Sequence, residues 1–213
     1  MAACCLLLAL LAGAQPLCAA ELSGQVVDAN GNGLADAVVF INQLPSGTTV
    51  PAQPRTAVMD QLDKQFVPHI LPVMIGTAVS FPNHDQIHHH VYSFSKAKTF
   101  EIPLYKSEPT DPLVFDQLGA VSVGCNIHEW MHGVILVLPT PYFAVTDAHG
   151  AFALHDVPSG RSSVAVWHEG LKGAIEANAQ TVDVAAQNAP LSFALAVTPR
   201  RGQLGAGGLR GDE

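Results

Sequence analysis

The sequence predicts an all-β protein of sandwich or barrel type. Three observations carry that expectation. Short runs rich in β-branched and aromatic residues recur at roughly 8–12-residue intervals, as in sandwiches and barrels. Turn residues separate them, with 18 glycines and 15 prolines in 213 residues. No window of roughly 11–18 residues holds a helical hydrophobic period. Composition excludes other classes. With 48% hydrophobic residues, the chain can bury a real core and is not disordered. Ten Lys+Arg against 18 Asp+Glu argue against a nucleic-acid partner. Four cysteines are too few for a disulfide-built scaffold.

Residues 1–20 contain no charge and an apolar run of about 4–12, ending in Ala19-Ala20 before Glu21. They read as a secretory signal peptide, atypical in lacking Lys or Arg at its start. The run is shorter than the roughly 20 residues that a membrane span needs, so no span is expected in the mature chain and its location is expected to be periplasmic. The first strand, 23–27, leads into Asp28-Ala-Asn-Gly-Asn-Gly33, a hairpin-type turn. A second strand at 37–42 precedes Pro45-Ser-Gly47 and a Thr/Pro/Gln linker reaching Arg55. Further strands are expected at 57–62, 69–73, 78–82, 88–94, 99–104, 113–115, 120–125 and 133–138. Between the last two, Glu129–His132 suits a turn of helix. Pro139 and Pro141 mark a boundary, followed by strands at 144–146, 152–154, 163–168, 181–184 and 191–197. Residues 199–213 are Gly-rich and read as a disordered tail.

Cleavage of the leader removes Cys4, Cys5 and Cys18 and leaves Cys125. A lone cysteine in an oxidising compartment is a core residue, an intermolecular link or a metal ligand. Cys125-Asn-Ile-His128-Glu-Trp-Met131 sets thiolate, imidazole and thioether at i, i+3 and i+6. Thiolate, imidazoles and a weak axial thioether are the ligand set of a mononuclear blue-copper site. A second, distant imidazole is required. In His88-His89-His90, strand alternation puts Ile87, His89 and Val91 on one face and His88, His90 and Tyr92 on the other. His89, among core residues, is the better candidate. His84, His88, His90 and His132 are read as solvated or hydrogen-bonded groups, with a secondary surface metal site as the sharper alternative. His69, His149, His155 and His168 carry no functional signal. Trp130 either caps the site, joins a docking surface or simply packs.

Gly76-Thr-Ala-Val-Ser-Phe-Pro-Asn83, His89-His-Val91 and Cys125-x2-His128-x2-Met131 together resemble the cupredoxin family, over about 58–138. The C-x2-H-x2-M loop is closer to the short amicyanin type than to plastocyanin. The His-His-Val-Tyr-Ser-Phe-Ser and Cys-Asn-Ile-His-x-Trp-Met strings are similar to bacterial periplasmic proteins labelled as methylamine-utilisation or plastocyanin-like proteins. The resemblance implies a Greek-key β-sandwich holding one type 1 copper per chain. His89, Cys125 and His128 are then equatorial ligands and Met131 the axial one. Two positions depart from the pattern. His90 stands where an Asn usually braces the ligand loop, and Glu129 where a proline often follows the second His.

The flanks, 21–50 and 140–198, resemble a carboxypeptidase-regulatory-like (transthyretin-like) β-sandwich. The matching strings are Gly24-Gln-Val-Val-Asp28 to Val38, and Asp147-Ala-His-Gly150-Ala-Phe-Ala-Leu-His-Asp-Val-Pro-Ser-Gly160. This implies a split module with the cupredoxin-like unit, 51–139, inserted in or fused to it; alternatively, residues 21–42 supply the first cupredoxin strand. The expected function is one-electron transfer by a non-enzyme that docks transiently with redox proteins. Its acidic balance suits basic partner surfaces, and the oligomeric state is left open. Copper binding or delivery without electron transfer, and a metal-free scaffold, are the alternatives.

Overall fold

The computed structural model describes residues 19–50, 55–106 and 111–197. The expected leader (apart from Ala19 and Ala20), the end of the linker and the tail lie outside them. The described residues are all β, without a helix, and none offers a helix long and apolar enough to cross a membrane. The strands are β1 (Ala19–Asp28), β2 (Val38–Gln43), β3 (Thr56–Val58), β4 (Asp60–Leu62), β5 (Gln65–Val67), β6 (Ile70–Met74), β7 (Thr77–Ser80), β8 (His89–Ser95) and β9 (Lys98–Tyr105). Then follow β10 (Leu113–Phe115), β11 (Gly119–Gly124), β12 (His132–Leu138), β13 (Phe143–Val145), β14 (Ala151–Pro158), β15 (Gly160–Trp167), β16 (Gln180–Val184) and β17 (Leu191–Leu195).

Four of the five sheets among the described residues stack through three apolar layers, the fifth being the β4-β5 hairpin. The orders are β14-β1-β17, β13-β2-β15-β16, β6-β12-β11-β8-β9 and β10-β7-β3. Leu22, Val26, Val39, Ile41, Leu154, Val164, Val166 and Phe193 form the first layer. Val38, Phe40, Val134, Leu136, Leu138, Ala165 and Trp167 form the middle one. Met59, Phe81, Val91, Phe115, Val121, Ile135 and Val137 form the third. Side chains alternate across a strand, so β2, β12 and β15 each feed two layers. That accounts for the unbroken apolar runs Val38-Val-Phe-Ile41, Val134-Ile-Leu-Val-Leu138 and Val164-Ala-Val-Trp167: a strand buried on both faces needs no polar alternation.

Neither β1 nor β2 pairs with a strand between Thr56 and Leu138. β1 pairs with β14 and β17, and β2 with β13 and β15. The reading in which residues 21–42 supply a strand to the Cys125-bearing sandwich is therefore incorrect. The two motif halves meet instead. Asp28 Oδ1 accepts the N–H groups of Asn30 and Asn32 at 2.8 and 2.9 Å. Asp147 Oδ1 accepts those of His149 and Ala151 at 2.8 and 2.9 Å. The Val26 N–H then donates to Gly150 O at 2.8 Å. Gly150 has φ +77°, and a Cβ there would lie 2.1 Å from Val26 O, so only glycine fits where these turns touch.

Two local expectations are corrected. Residues 57–62 are not one strand: β3 pairs with β7, whereas β4 turns back onto β5 through Asp63-Lys64, both at positive φ. Such a two-residue turn matches hairpin twist without glycine, so the sequence there lacks the usual hairpin signal. Glu129–His132 is not helical. It holds a hydrogen-bonded turn, with Met131 N–H donating to His128 O at 2.9 Å, and β12 starts at His132.

Candidate metal centre

Antiparallel neighbours bring the start of one strand beside the end of the other. β8 and β11 are such neighbours, with Gly124 opposite Tyr92. His89 at the head of β8 thus meets Cys125, one residue beyond β11. The chain from Cys125 to Met131 closes on itself: Cys125 N–H donates to Met131 O at 3.4 Å, beside the 2.9 Å bond between Met131 and His128. His128 is carried inward by this loop.

The resulting geometry is compact. Cys125 Sγ lies 3.8 Å from His89 Nδ1 and 3.6 Å from His128 Nδ1. The two imidazole rings are 4.9 Å apart, centroid to centroid, inclined at 59°. His89, Cys125 and Met131 are buried; His128 is half-buried at the rim. Three donors about 2.3 Å (sulfur) and 2.0 Å (nitrogen) from a first-row ion in a trigonal plane would stand about 3.7 Å apart from sulfur to each nitrogen. The spacing and the soft donor set therefore fit a copper ion of the blue type. Met131 is the buried thioether on the same loop.

The groups behind His89 fix its tautomer. Its Nε2–H donates to Asp85 Oδ2 at 2.7 Å, leaving the Nδ1 lone pair toward the thiol. Asp85 is itself anchored: its carboxylate accepts the N–H groups of Asp63 and Lys64 at 2.8 and 2.9 Å. Burial pushes the Asp85 carboxyl up, but the Lys64 N–H, the His89 ring and the Asp63 N–H outweigh it and hold the group below its ordinary value. Buried Asn83 donates to Ile87 O at 2.9 Å and Tyr105 O at 3.2 Å, and accepts the Asp85 N–H at 3.0 Å. It shapes the segment that delivers His89. Burial, with His89 and Lys64 nearby, pushes His128 below its usual pKa. Burial also pushes the Tyr105 phenol up to about 12, so it stays protonated and donates to Phe81 O at 2.6 Å.

The alternation expected around His88–His90 does not hold throughout. His89 is fully buried, but so nearly is His90, while Ile87 is exposed. The pairing of β8 with β9 shifts register between His89 and Val91, which turns both rings from solvent. His90 Nε2 bonds Glu101 Oε1 at 2.8 Å rather than joining the cluster. His84 Nδ1 lies 2.7 Å from Asp60 Oδ2, and His88 is exposed. Trp130 is 67% exposed with its ring 5.4 Å from that of His128, which removes the packing role. With exposed Ile127 it makes an apolar rim. Sequence reasoning missed Asp85, and also a second group, His69, His132 and Glu169, whose donor atoms lie within 4.8 Å of one another. Asp85 stands only four residues before His89, but its role rests on the Asp63 and Lys64 N–H groups that hold it, which no local spacing signals.

No family model and no curated protein matches the chain. Solved structures similar to it include amicyanin variants, a purple cupredoxin and a copper-containing nitrite reductase. A Cu(I) amicyanin variant is 22% identical, over 38% of this chain and 81% of that one, with a TM-score of 0.36. A purple cupredoxin from Nitrosopumilus maritimus is 22% identical, over 39% and 98%, with a TM-score of 0.33. A copper-containing nitrite reductase from Thermus scotoductus SA-01 is 23% identical over 45% of this chain, a quarter of that one, at 0.35.

Proposed function

We propose that the protein is a periplasmic one-electron carrier with a mononuclear type 1 copper centre, ligated by His89, Cys125, His128 and Met131. The observation that carries this reading is the convergence of two imidazole Nδ1 atoms on one buried thiol at 3.6 and 3.8 Å. A copper ion held there supplies one-electron chemistry, alternating between Cu(II) and Cu(I). The chain's own residues supply the rest. Asp85 fixes the His89 tautomer through a carboxylate–imidazole bond, the usual way an outer group orients a metal ligand. Burial of Cys125 and Met131 keeps water from the thiol. Anchoring of the ligand segments by backbone hydrogen bonds limits rearrangement between the two charge states. His128, at the rim beside Trp130 and Ile127, is the surface end of the cluster and the route for the electron. An apolar rim on an acidic molecule suits weak, brief docking, as redox encounters require. No substrate-handling residue is needed, and the protein is not assigned an enzymatic activity.

The test is spectroscopic. Copper-loaded, oxidised protein is expected to show an intense visible thiolate-to-copper band, absent from Cys125→Ser. Met131→Ala is expected to keep the colour and shift the reduction potential, measured by redox titration. Tight Cu(I) binding without colour or reversible oxidation would replace this reading with copper delivery.

A further inference from the structure

His69, His132 and Glu169 meet where the Cys125-bearing sandwich faces the other one. His69 precedes β6, His132 opens β12 directly after Met131, and Glu169 lies two residues beyond β15. His69 Nε2 is 3.3 Å from Glu169 Oε2, and His132 Nδ1 is 3.4 Å from Glu169 Oε1. The imidazole centroids are 5.7 Å apart. His69 Nδ1 lies 3.1 Å from His132 O. A carbonyl only accepts, so Nδ1 carries the proton in this bond. In neutral His69 the Nε2 lone pair then faces a carboxylate oxygen, and two acceptors confront each other. A cation between them, a proton or a metal ion, resolves the conflict. Ser122 Oγ bonds the far nitrogen of His132, Nε2, at 2.8 Å, fixing that ring as well. Rings held through the nitrogen remote from the carboxylate have the outer support usual for metal-binding imidazoles.

The distances also suit a shared metal ion. Tetrahedral donors about 2.0–2.1 Å from a zinc-sized ion stand about 3.3 Å apart. Both imidazole–carboxylate separations match this, and the three donor atoms all lie within 4.8 Å of one another. His69 is 44% exposed and His132 26% at the side chain, so an ion has access.

We infer that His69, His132 and Glu169 form a second metal site, for a divalent first-row cation such as Zn²⁺, that clamps the Met131 end of the ligand loop to the neighbouring sandwich. Two imidazoles and a carboxylate leave a fourth position open, as in other three-ligand zinc sites. The clamp does not depend on copper at Cys125.

Zn²⁺ alone, titrated calorimetrically into the full chain carrying Cys125→Ser, is the probe. That background makes the result independent of the copper proposal. The expected result is a site whose affinity falls at least tenfold in Cys125→Ser/Glu169→Gln and in Cys125→Ser/His69→Gln. A hundredfold excess of Zn²⁺ over the dissociation constant should raise the unfolding midpoint of the parent by about 5–10 °C and leave the Glu169→Gln variant unmoved. Zn²⁺ affinity and midpoint shift unchanged by both substitutions, or no Zn²⁺ binding in the parent, would overturn the inference. The exposed His69 keeps the test decisive should Glu169→Gln fold poorly.

Discussion

At the scale of single residues, the centre separates donors from neighbours that resemble them. Three consecutive histidines occupy 88–90, yet only the His89 ring reaches Cys125, while His90 is spent on Glu101. His89→Ala should abolish the visible copper band, whereas His88→Ala and His90→Ala should preserve it; absorption spectra of the three variants check this. The carboxylate behind His89 is a sharper probe. Asp85→Asn removes the charge and keeps the shape, and should weaken copper binding by about 10–100-fold, measured by competition with a chelator. Cys125, His128 and Met131 were legible because one short segment carries three soft or borderline donors at fixed spacing. Asp85 and the His69 cluster were not: their meaning depends on which backbone N–H groups and which distant carboxylate they face, and spacing does not encode that.

At the scale of elements, turns locate the strands that carry the donors. The Asp63-Lys64 turn between β4 and β5 has no glycine, and its N–H groups hold Asp85. The paired turns at Asp28 and Asp147 were readable because Asp and Gly stand at fixed offsets. Their carboxyls sit below the ordinary value of 3.8 because they accept backbone N–H groups, from Asn32 first for Asp28 and Ala151 first for Asp147. Groups depressed on folding stabilise above their unfolded pKa, and that contribution is lost as pH falls through the folded value. Asp147→Asn should therefore unfold at lower denaturant than the parent at neutral pH, and the gap should close at about pH 2. Denaturant titrations at both pH values test the sign. The strands at 113–115 and 133–138 were legible from β-branched runs between turn residues. Register was not, since the shift between His89 and Val91 arises from pairing with β9.

At the scale of the whole molecule, the middle apolar layer unites the two sandwiches. Val38, Phe40 and Trp167 face Val134, Leu136 and Leu138 across it, and we propose that the division into a split flanking module and a Cys125-bearing module follows these layers. Leu136→Ala should cost about 2–5 kcal/mol by leaving a cavity, read by denaturant unfolding, while the visible band stays unchanged because none of the four proposed ligands belongs to that layer. The double burial of β2 and β12 was written into their continuous apolar runs, but which sheet covers each face is a property of the fold as a whole. The central claim is a type 1 copper centre, and the most direct measurement is the absorption and electron paramagnetic resonance of the full protein loaded with one equivalent of Cu(II). The account predicts an intense visible thiolate band with the narrow copper hyperfine splitting of a blue site. A colourless protein with ordinary tetragonal Cu(II) signals, unchanged by Cys125→Ser, would contradict it.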